Sequence, residues 1–179
     1  VPERSEIHLI ESAAGGDIES FGELCRRYYA AMAAVAYAVL NDHQLAEDAA
    51  QESFARALVR IKSLKERAKF APWLAAICRN VAKDMVAAKA KQISTEDLSQ
   101  AGRKNNINDD NSRAIQRAIE QLPAPARELI VLRYYDGLSY EQIGSVLGIS
   151  RATINGRLTR AKRKMAAYLR KNGFPENRL

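Results

Sequence analysis

The sequence predicts an all-α protein of two small helical bundles joined by a polar linker, with a helix-turn-helix in the second bundle. Three observations predict it. Apolar residues recur at three- and four-residue spacing through long segments in both halves of the chain, the spacing that lines one face of a helix, and no strand signal of any weight interrupts them. From 92 to 111 that pattern collapses into a polar, Asn-rich stretch. Between Ser139 and Met165 two helical patterns meet at a glycine-containing turn. The expected units are therefore 1–91, a linker at 92–111, and 112–179. With 179 residues and 47% hydrophobic content, the chain has enough apolar surface for a core in each.

Residues 1 to 16 read as a short polar lead with Ile7, Leu9 and Ile10 as anchors and Gly15-Gly16 as a break. Asp17 then caps a helix from Ile18 to Leu40, whose buried face carries Phe21, Leu24, Cys25, Tyr28, Met32, Val35 and Val39. Asn41-Asp42 interrupts, and Asp42 caps a second helix from about His43 to Ile61. Its inward face is Ala46, Ala50, Phe54, Ala57 and Ile61, while Glu47, Asp48, Gln51 and Glu52 crowd the first turns elsewhere. Those acidic groups fit either of two roles: complements to the helix dipole or a protein-docking face. A basic loop, Lys62 to Lys69, leads into a third helix that starts at Phe70 with Pro72 in its first turn. Its apolar line runs through Phe70 or Trp73, Leu74, Ile77, Val81, Met85 and Ala88, leaving Arg79, Asn80, Lys83 and Asp84 off it. Trp73 reads as a core residue or, beside so basic a loop, as a single-strand or backbone contact.

After the linker, Asn111 or Ser112 caps a helix through Leu122, Pro123-Ala-Pro125 breaks it, and Ala126 to Tyr135 forms another. Asp136-Gly137 turns the chain into the helix-turn-helix. Ser139, with Gln142 as capping-box partner, opens a short helix that presents Ile143, Val146 and Leu147 on one face. Gly148 ends it, Ile149 plugs the turn, and Ser150 caps a longer helix. There Ile154, Leu158, Ala161 and Met165 form the buried stripe, and Ala152, Asn155, Gly156, Thr159, Arg160 and Arg163 lie opposite. Small and amide side chains facing out of a basic second helix are what entry into a major groove requires. The alternative is an amphipathic basic helix pair whose charges are merely solvated. Gly156 speaks against it, since a glycine in an exposed helix costs roughly 1 kcal/mol relative to alanine.

The net charge of +7 is unevenly placed. Residues 150 to 179 hold nine Lys or Arg against Glu176 alone, so the rest of the chain is close to neutral. Cys25 and Cys78 are far apart and lie beside apolar positions, which fits two buried thiols in a reducing compartment better than a disulfide or metal pair. His8 and His43 have no partner at metal-ligand spacing, no apolar run reaches membrane-spanning length, and the start has no signal-peptide pattern. A cytoplasmic protein with no cofactor or metal is expected. There is no phosphate-cradling glycine loop, nucleophile elbow or paired-carboxylate site, and Asp48 and Glu52, one turn apart on an exposed face, have no partner for acid–base work. No catalytic residues are expected, and hence no enzyme.

Two sets of residues carry a resemblance. Leu122-Pro123, the run Glu128 to Gly144 and the run Gly148 to Lys162 resemble region four of the extracytoplasmic-function (group four) sigma factors. Ala46 to Phe54 and Phe70 to Asp84 resemble region two of the same family. Together they span roughly Asp17 to Leu169, and their order and separation make the match specific. The resemblance implies a promoter-specificity subunit of bacterial RNA polymerase, active in a stress or envelope response. It implies that Asp48, Gln51 and Glu52 dock on the clamp helices of the core enzyme's largest subunit, and that region four meets the flap. It implies that Lys62, Lys65, Arg67, Lys69, Phe70, Trp73, Arg79, Asn80 and Asp84 serve the −10 element, melting it and holding an extruded non-template base, as single-strand recognition demands. It implies that Arg151, Thr153, Asn155, Gly156, Arg157, Thr159, Arg160 and Arg163 meet the −35 element as duplex. Its further partners would be promoter DNA and an anti-sigma factor that binds both regions at once, with the free chain a monomer outside the membrane.

The chain departs from the family's pattern in three places. Ala87-Ala88 stand where an Arg-rich stretch is usual, with only Lys89 and Lys91 remaining; Ser150 replaces a proline; and Asn155 replaces a basic residue, which should change the base that is read. The rival readings are a stand-alone regulator whose N-terminal bundle senses a ligand or dimerises, and an adaptor acting by protein contacts alone. The second leaves the basic helix unexplained.

Overall fold

The structure is a computed structural model that describes residues 5–93 and 110–174. Of the expected linker at 92–111, only the ends are described, Gln92 and Ile93 closing one helix and Asp110 and Asn111 opening the next. The described residues form α-helices and short 3-10 turns and no strand.

The N-terminal half is built on α2 (Ile18–Leu40), whose neighbours are α1 (Glu6–Gly15), α3 (His43–Arg60) and α4 (Phe70–Ile93). Asp17 caps α2 by accepting from the Glu19 N–H at 3.1 Å. At its far end two adjacent residues divide the work of stopping and restarting. Asn41 takes the left-handed conformation (φ 52°), which an amide side chain tolerates, and donates its N–H to the Tyr37 carbonyl; Asp42 then accepts from the Leu45 N–H at 3.1 Å to open α3.

The lead expected at 1 to 16 is mostly helix. Ser5 caps α1, and Leu9, Ile10 and Ala13 are buried against α2 and the turn after α3. Two 3-10 turns, Ile61–Ser63 and Arg67–Lys69, shape the basic loop. Leu24, Met32, Phe70 and Leu74 are fully buried at the centre, each worth roughly 1.5–3 kcal/mol of burial.

The C-terminal half comprises α5 (Asp110–Glu120), α6 (Ala124–Tyr134), α7 (Tyr140–Leu147) and α8 (Arg151–Lys171). Asn111 and Ser112, expected as caps, sit inside the first turn of α5. The α6 helix starts two residues earlier than expected because Pro125 falls in its first turn, where the missing N–H has no partner to lose. Around α7 and α8 the expected chemistry is present. Ser139 and Gln142 make both bonds of a capping box, Gly148 is left-handed (φ 66°), and Ser150 accepts from the Thr153 N–H. A Cβ on Gly144 would lie 3.0 Å from the Ile149 carbonyl oxygen, so a side chain here would press on the backbone of the turn.

The two halves share a core. Buried residues of α6 to α8, among them Leu129, Val131, Leu132, Ile143 and Ile154, are continuous with those of α1 to α4. Helix α6 packs on α2, and α7 packs on α4. Across the seam Gln116 donates to the Tyr37 hydroxyl, and Arg127 donates to the Ala38 carbonyl at 3.1 Å.

Candidate polymerase and nucleic-acid interfaces

Helix α3 displays Asp48, Gln51 and Glu52 to solvent while Ala46, Ala49, Ala50, Ser53 and Phe54 face the core. The carboxylate of Glu52 pairs with Arg56 one turn on, at 2.7 Å, and Arg56 reaches across to Asp84 of α4 at 3.3 Å. Arg56 thus ties a residue expected at the core enzyme to one expected at the −10 element. Sequence reading missed it. The Glu-x-x-x-Arg spacing was legible as an i,i+4 pair, but the reach to Asp84 needed the packing of α3 on α4.

The residues expected at the −10 element divide into those held by the fold and those displayed. Arg67 donates to the Ile61 carbonyl at 3.2 Å and to that of Leu64, closing the loop between α3 and α4. Phe70 is fully buried, edge-on to Tyr28 with ring centres 5.6 Å apart. Arg79, half-buried, donates to Glu128 of α6, Nη2 to Oε1 at 2.9 Å and Nε to Oε1 at 3.1 Å. Phe70 thus has no face to solvent, while Arg67 and Arg79 stay partly exposed with part of each guanidinium engaged by the fold. Lys62, Lys65, Lys69, Asn80 and Asp84 are exposed, Lys69 pairing with Glu66 at 2.8 Å, and Trp73 is half-buried against Phe70. At 100° per residue Trp73, Asn80 and Asp84 fall within about 40° of one another, so they form one stripe along α4.

Helix α8 buries Ile154, Leu158, Ala161 and Leu169, with Met165 partly buried, and displays Arg151, Asn155, Thr159, Arg160 and Arg163. Gly156 is half-buried, yet a Cβ there would meet nothing within 4 Å, so no packing inside the chain calls for glycine. Thr153 belongs to the helix cap, its hydroxyl 2.9 Å from that of Ser150, and the Thr159 hydroxyl donates to the Asn155 carbonyl at 2.9 Å. Arg151 pairs with Glu141 at 3.2 Å and lies over the Tyr140 ring, 5.5 Å from its centre; Arg133 lies 5.3 Å from the same ring. Tyr140, Arg151, Ala152 and Asn155 line an open groove of about 590 Å³ beside the turn. Arg157 is half-buried, and its charge acts on Glu128.

Two carboxylates, one buried (Glu128) and one half-buried (Asp136), escaped the sequence reading. Burial pushes the Glu128 pKa up against the pull of Arg79 and Arg157. Asp136, in the turn after α6, is pushed up to about 6 by burial, and its Oδ2 has no hydrogen-bond partner among the described residues. Burial also raises both thiols, that of Cys78 to about 11, which leaves little thiolate near neutral pH. Among the described residues no group of three or more His, Cys, Asp or Glu could hold a metal ion, and no helix is long and apolar enough to cross a membrane.

Known proteins share this arrangement. Residues 24–92 match the family described as Sigma-70 region 2, and residues 112–165 match Sigma-70, region 4. The ECF RNA polymerase sigma factor SigW of Bacillus subtilis is 32% identical over 177 residues, covering 90% of this chain and 95% of that protein. A probable RNA polymerase sigma factor, RfaY of Xanthomonas campestris pv. campestris, is 31% identical over 166 residues, covering 87% of this chain; the match spans 42% of that longer protein. Among solved structures, CnrH in complex with the cytosolic domain of CnrY aligns over 94% of this chain and 99% of that one, with a TM-score of 0.62 at 24% identity. The sigma factor RpoE of Bartonella quintana, in complex with the anti-sigma factor NepR, aligns over 85% and 98% with a TM-score of 0.57 at 23% identity. These two likenesses show the fold.

Proposed function

The chain belongs to the extracytoplasmic-function sigma factors, and from that premise we propose that it directs bacterial RNA polymerase core to specific promoters, under the control of an anti-sigma factor. The family consists of transcription initiation factors rather than catalysts. The observation that carries the reading is the order of two distinct surfaces on one chain: an acidic exposed face on α3 within the region-two match and a basic exposed helix, α8, within the region-four match. Neither a stand-alone operator-binding protein nor a protein adaptor calls for both.

In this reading Asp48, Gln51 and Glu52 meet the largest subunit's clamp helices. The basic loop from Lys62 to Lys69 and the α4 stripe of Trp73, Asn80 and Asp84 meet the melted −10 element, with Arg79 joining them when α6 moves away. On α8, Asn155 and Thr159 face base edges in the −35 major groove, and Arg151, Arg157, Arg160 and Arg163 reach phosphates. Asparagine pairs bidentately with adenine N6 and N7, so Asn155 reads an adenine. The bare backbone at Gly156 lets α8 approach the bases closely. The anti-sigma factor would cover both halves.

The test is transcription with purified core polymerase on a genomic fragment library. Addition of the chain should produce a discrete set of start sites absent with core alone. Start sites unchanged by its addition would refute the reading.

A further inference from the structure

We propose that the pocket between α2, the start of α3 and the turn after α6 is a binding site for a small aliphatic ammonium ion. The chain carries a net charge of +7, yet no Lys or Arg lines this cavity of about 290 Å³. Its charged groups are carboxylates: Asp136 from the turn after α6 and Glu47 from α3. A pocket so lined on so basic a protein repels anions and takes cations.

Asp136 is the group that asks for a ligand. Its Oδ2 is buried without a hydrogen-bond partner among the described residues, and such an oxygen costs free energy until a donor reaches it. The backbone beneath it is pinned. The Asp136 N–H donates to the Val131 carbonyl at 3.1 Å, the Leu138 N–H donates to the Leu132 carbonyl at 3.0 Å, and Gly137 between them is left-handed (φ 66°). Arg127, whose charge reaches the Tyr37 hydroxyl on the same side, is committed to the carbonyls of Ala38, Glu120 and Leu122. The donor must therefore come from outside the chain.

The rest of the lining says what kind of donor. Among the described residues no group of three or more His, Cys, Asp or Glu could hold a metal ion, which leaves an organic cation. An unpartnered acceptor calls for an N–H, which a primary ammonium has and a quaternary one lacks. The remaining surface is aromatic and methyl. Tyr37 stacks on His43 with ring centres 4.4 Å apart, Tyr135 stands at the edge, and Ala33, Ala34 and Ala46 leave room between helices. Aromatic faces attract a cation, and alanine methyls accept a short alkyl chain. The ammonium head lies on Asp136 and the chain runs over the alanines.

The test is calorimetric titration of the full chain with butylammonium chloride at about 150 mM salt, where loose attraction to surface carboxylates is screened. One saturable site should appear, half-filled at about 1 mM. Tetramethylammonium, of equal charge and without an N–H, should bind at least about tenfold more weakly. Asp136→Asn keeps the shape and removes the charge, and should weaken butylammonium binding by about tenfold or more. Ala30→Leu guards against a folding artefact: Ala30 lines the same pocket from an exposed position on α2, so the leucine narrows the mouth and leaves the carboxylate and the core alone. It should weaken binding to a similar extent, with the helical circular-dichroism spectrum unchanged. Absence of saturable binding, equal binding of the two cations, or wild-type affinity in either variant would overturn the proposal. The promoter function stands or falls separately, on start-site mapping with core polymerase.

Discussion

Helices α4 and α8 are both expected to touch promoter DNA, and the fold treats them in opposite ways. The polar face of α8 stands clear of the protein, with Asn155, Arg160 and Arg163 exposed. On α4 part of the expected surface is already spent: Phe70 is core, and Arg79 is bound to Glu128. The difference follows from position. Helix α8 is the last of its bundle and packs along one stripe, so the rest of its circumference is free to enter a groove. Helix α4 lies between α2, α3 and α7, so only the stripe of Trp73, Asn80 and Asp84 and the loop before it stay available. The expected duplex reader is presented along a whole helix face; the expected single-strand reader keeps one stripe of α4 and the loop before it.

The largest expected effect sharpens this contrast by leaving both helices alone. Reversing Asp48 and Glu52 to lysine should abolish co-purification with core polymerase while the helical circular-dichroism spectrum stays as it is, since both side chains are exposed. Retained binding would remove α3 as the docking face.

Next in size is base reading by α8. Asn155→Ala should cost about 1–3 kcal/mol on the preferred −35 sequence and relax preference at one position. Arg163→Ala should weaken binding evenly across sequences and lower the salt slope by about one phosphate. A randomised −35 duplex library, bound at two salt concentrations, separates the two. If Asn155→Ala keeps the preference and Arg163→Ala reshapes it, α8 lies in the groove the other way round.

Gly156→Ala tests whether α8 trades stability for approach. Nothing lies within 4 Å of the added methyl, so the substitution should stabilise the chain by up to about 1 kcal/mol and at the same time weaken −35 binding. Thermal unfolding and duplex titration of the same variant decide it; a stabilised variant with intact binding would mean that the backbone at Gly156 does not meet DNA.

The smallest effect concerns the turn after α6. Asp136 has a folded pKa raised by burial from 3.8 to about 6, so the folded state holds this proton more tightly than the unfolded one. Its ionised form therefore lowers stability above about pH 6, and the penalty fades as pH falls toward 3.8. Asp136→Asn should raise Tm at pH 7.5 and make no difference near pH 3.5. An equal gain at both pH values would assign the effect to something other than this charge.

Much of this was legible in the residues. Asn41-Asp42, Ser139 with Gln142, and Gly148-Ile149-Ser150 set their helix ends through local hydrogen bonds and backbone preference, which a linear pattern displays. The buried stripe of α8 was legible for the same reason. Helix α1 was missed although Ser5 and the Leu9, Ile10, Ala13 spacing signalled it, because ten residues ending in Gly15-Gly16 carry little propensity of their own and owe their helix to packing on α2. Glu128 was invisible as a partner for Arg79. It lies in a helix just ahead of the apolar run Leu129 to Leu132, and only the tertiary packing of α6, against α2, brings its carboxylate to Arg79 of α4.

The central claim is that α4 and α8 grip two separate elements of one promoter, one as single strand and one as duplex. The most direct measurement places a photo-crosslinking amino acid at position 80 in one variant and at position 155 in another, and maps the adducts in initiation complexes on one promoter found by start-site mapping. Position 80 should crosslink to the non-template strand at the −10 element, and position 155 to duplex near −35. Adducts from both positions at the same element, or none from position 80 in complexes that initiate normally, would contradict it.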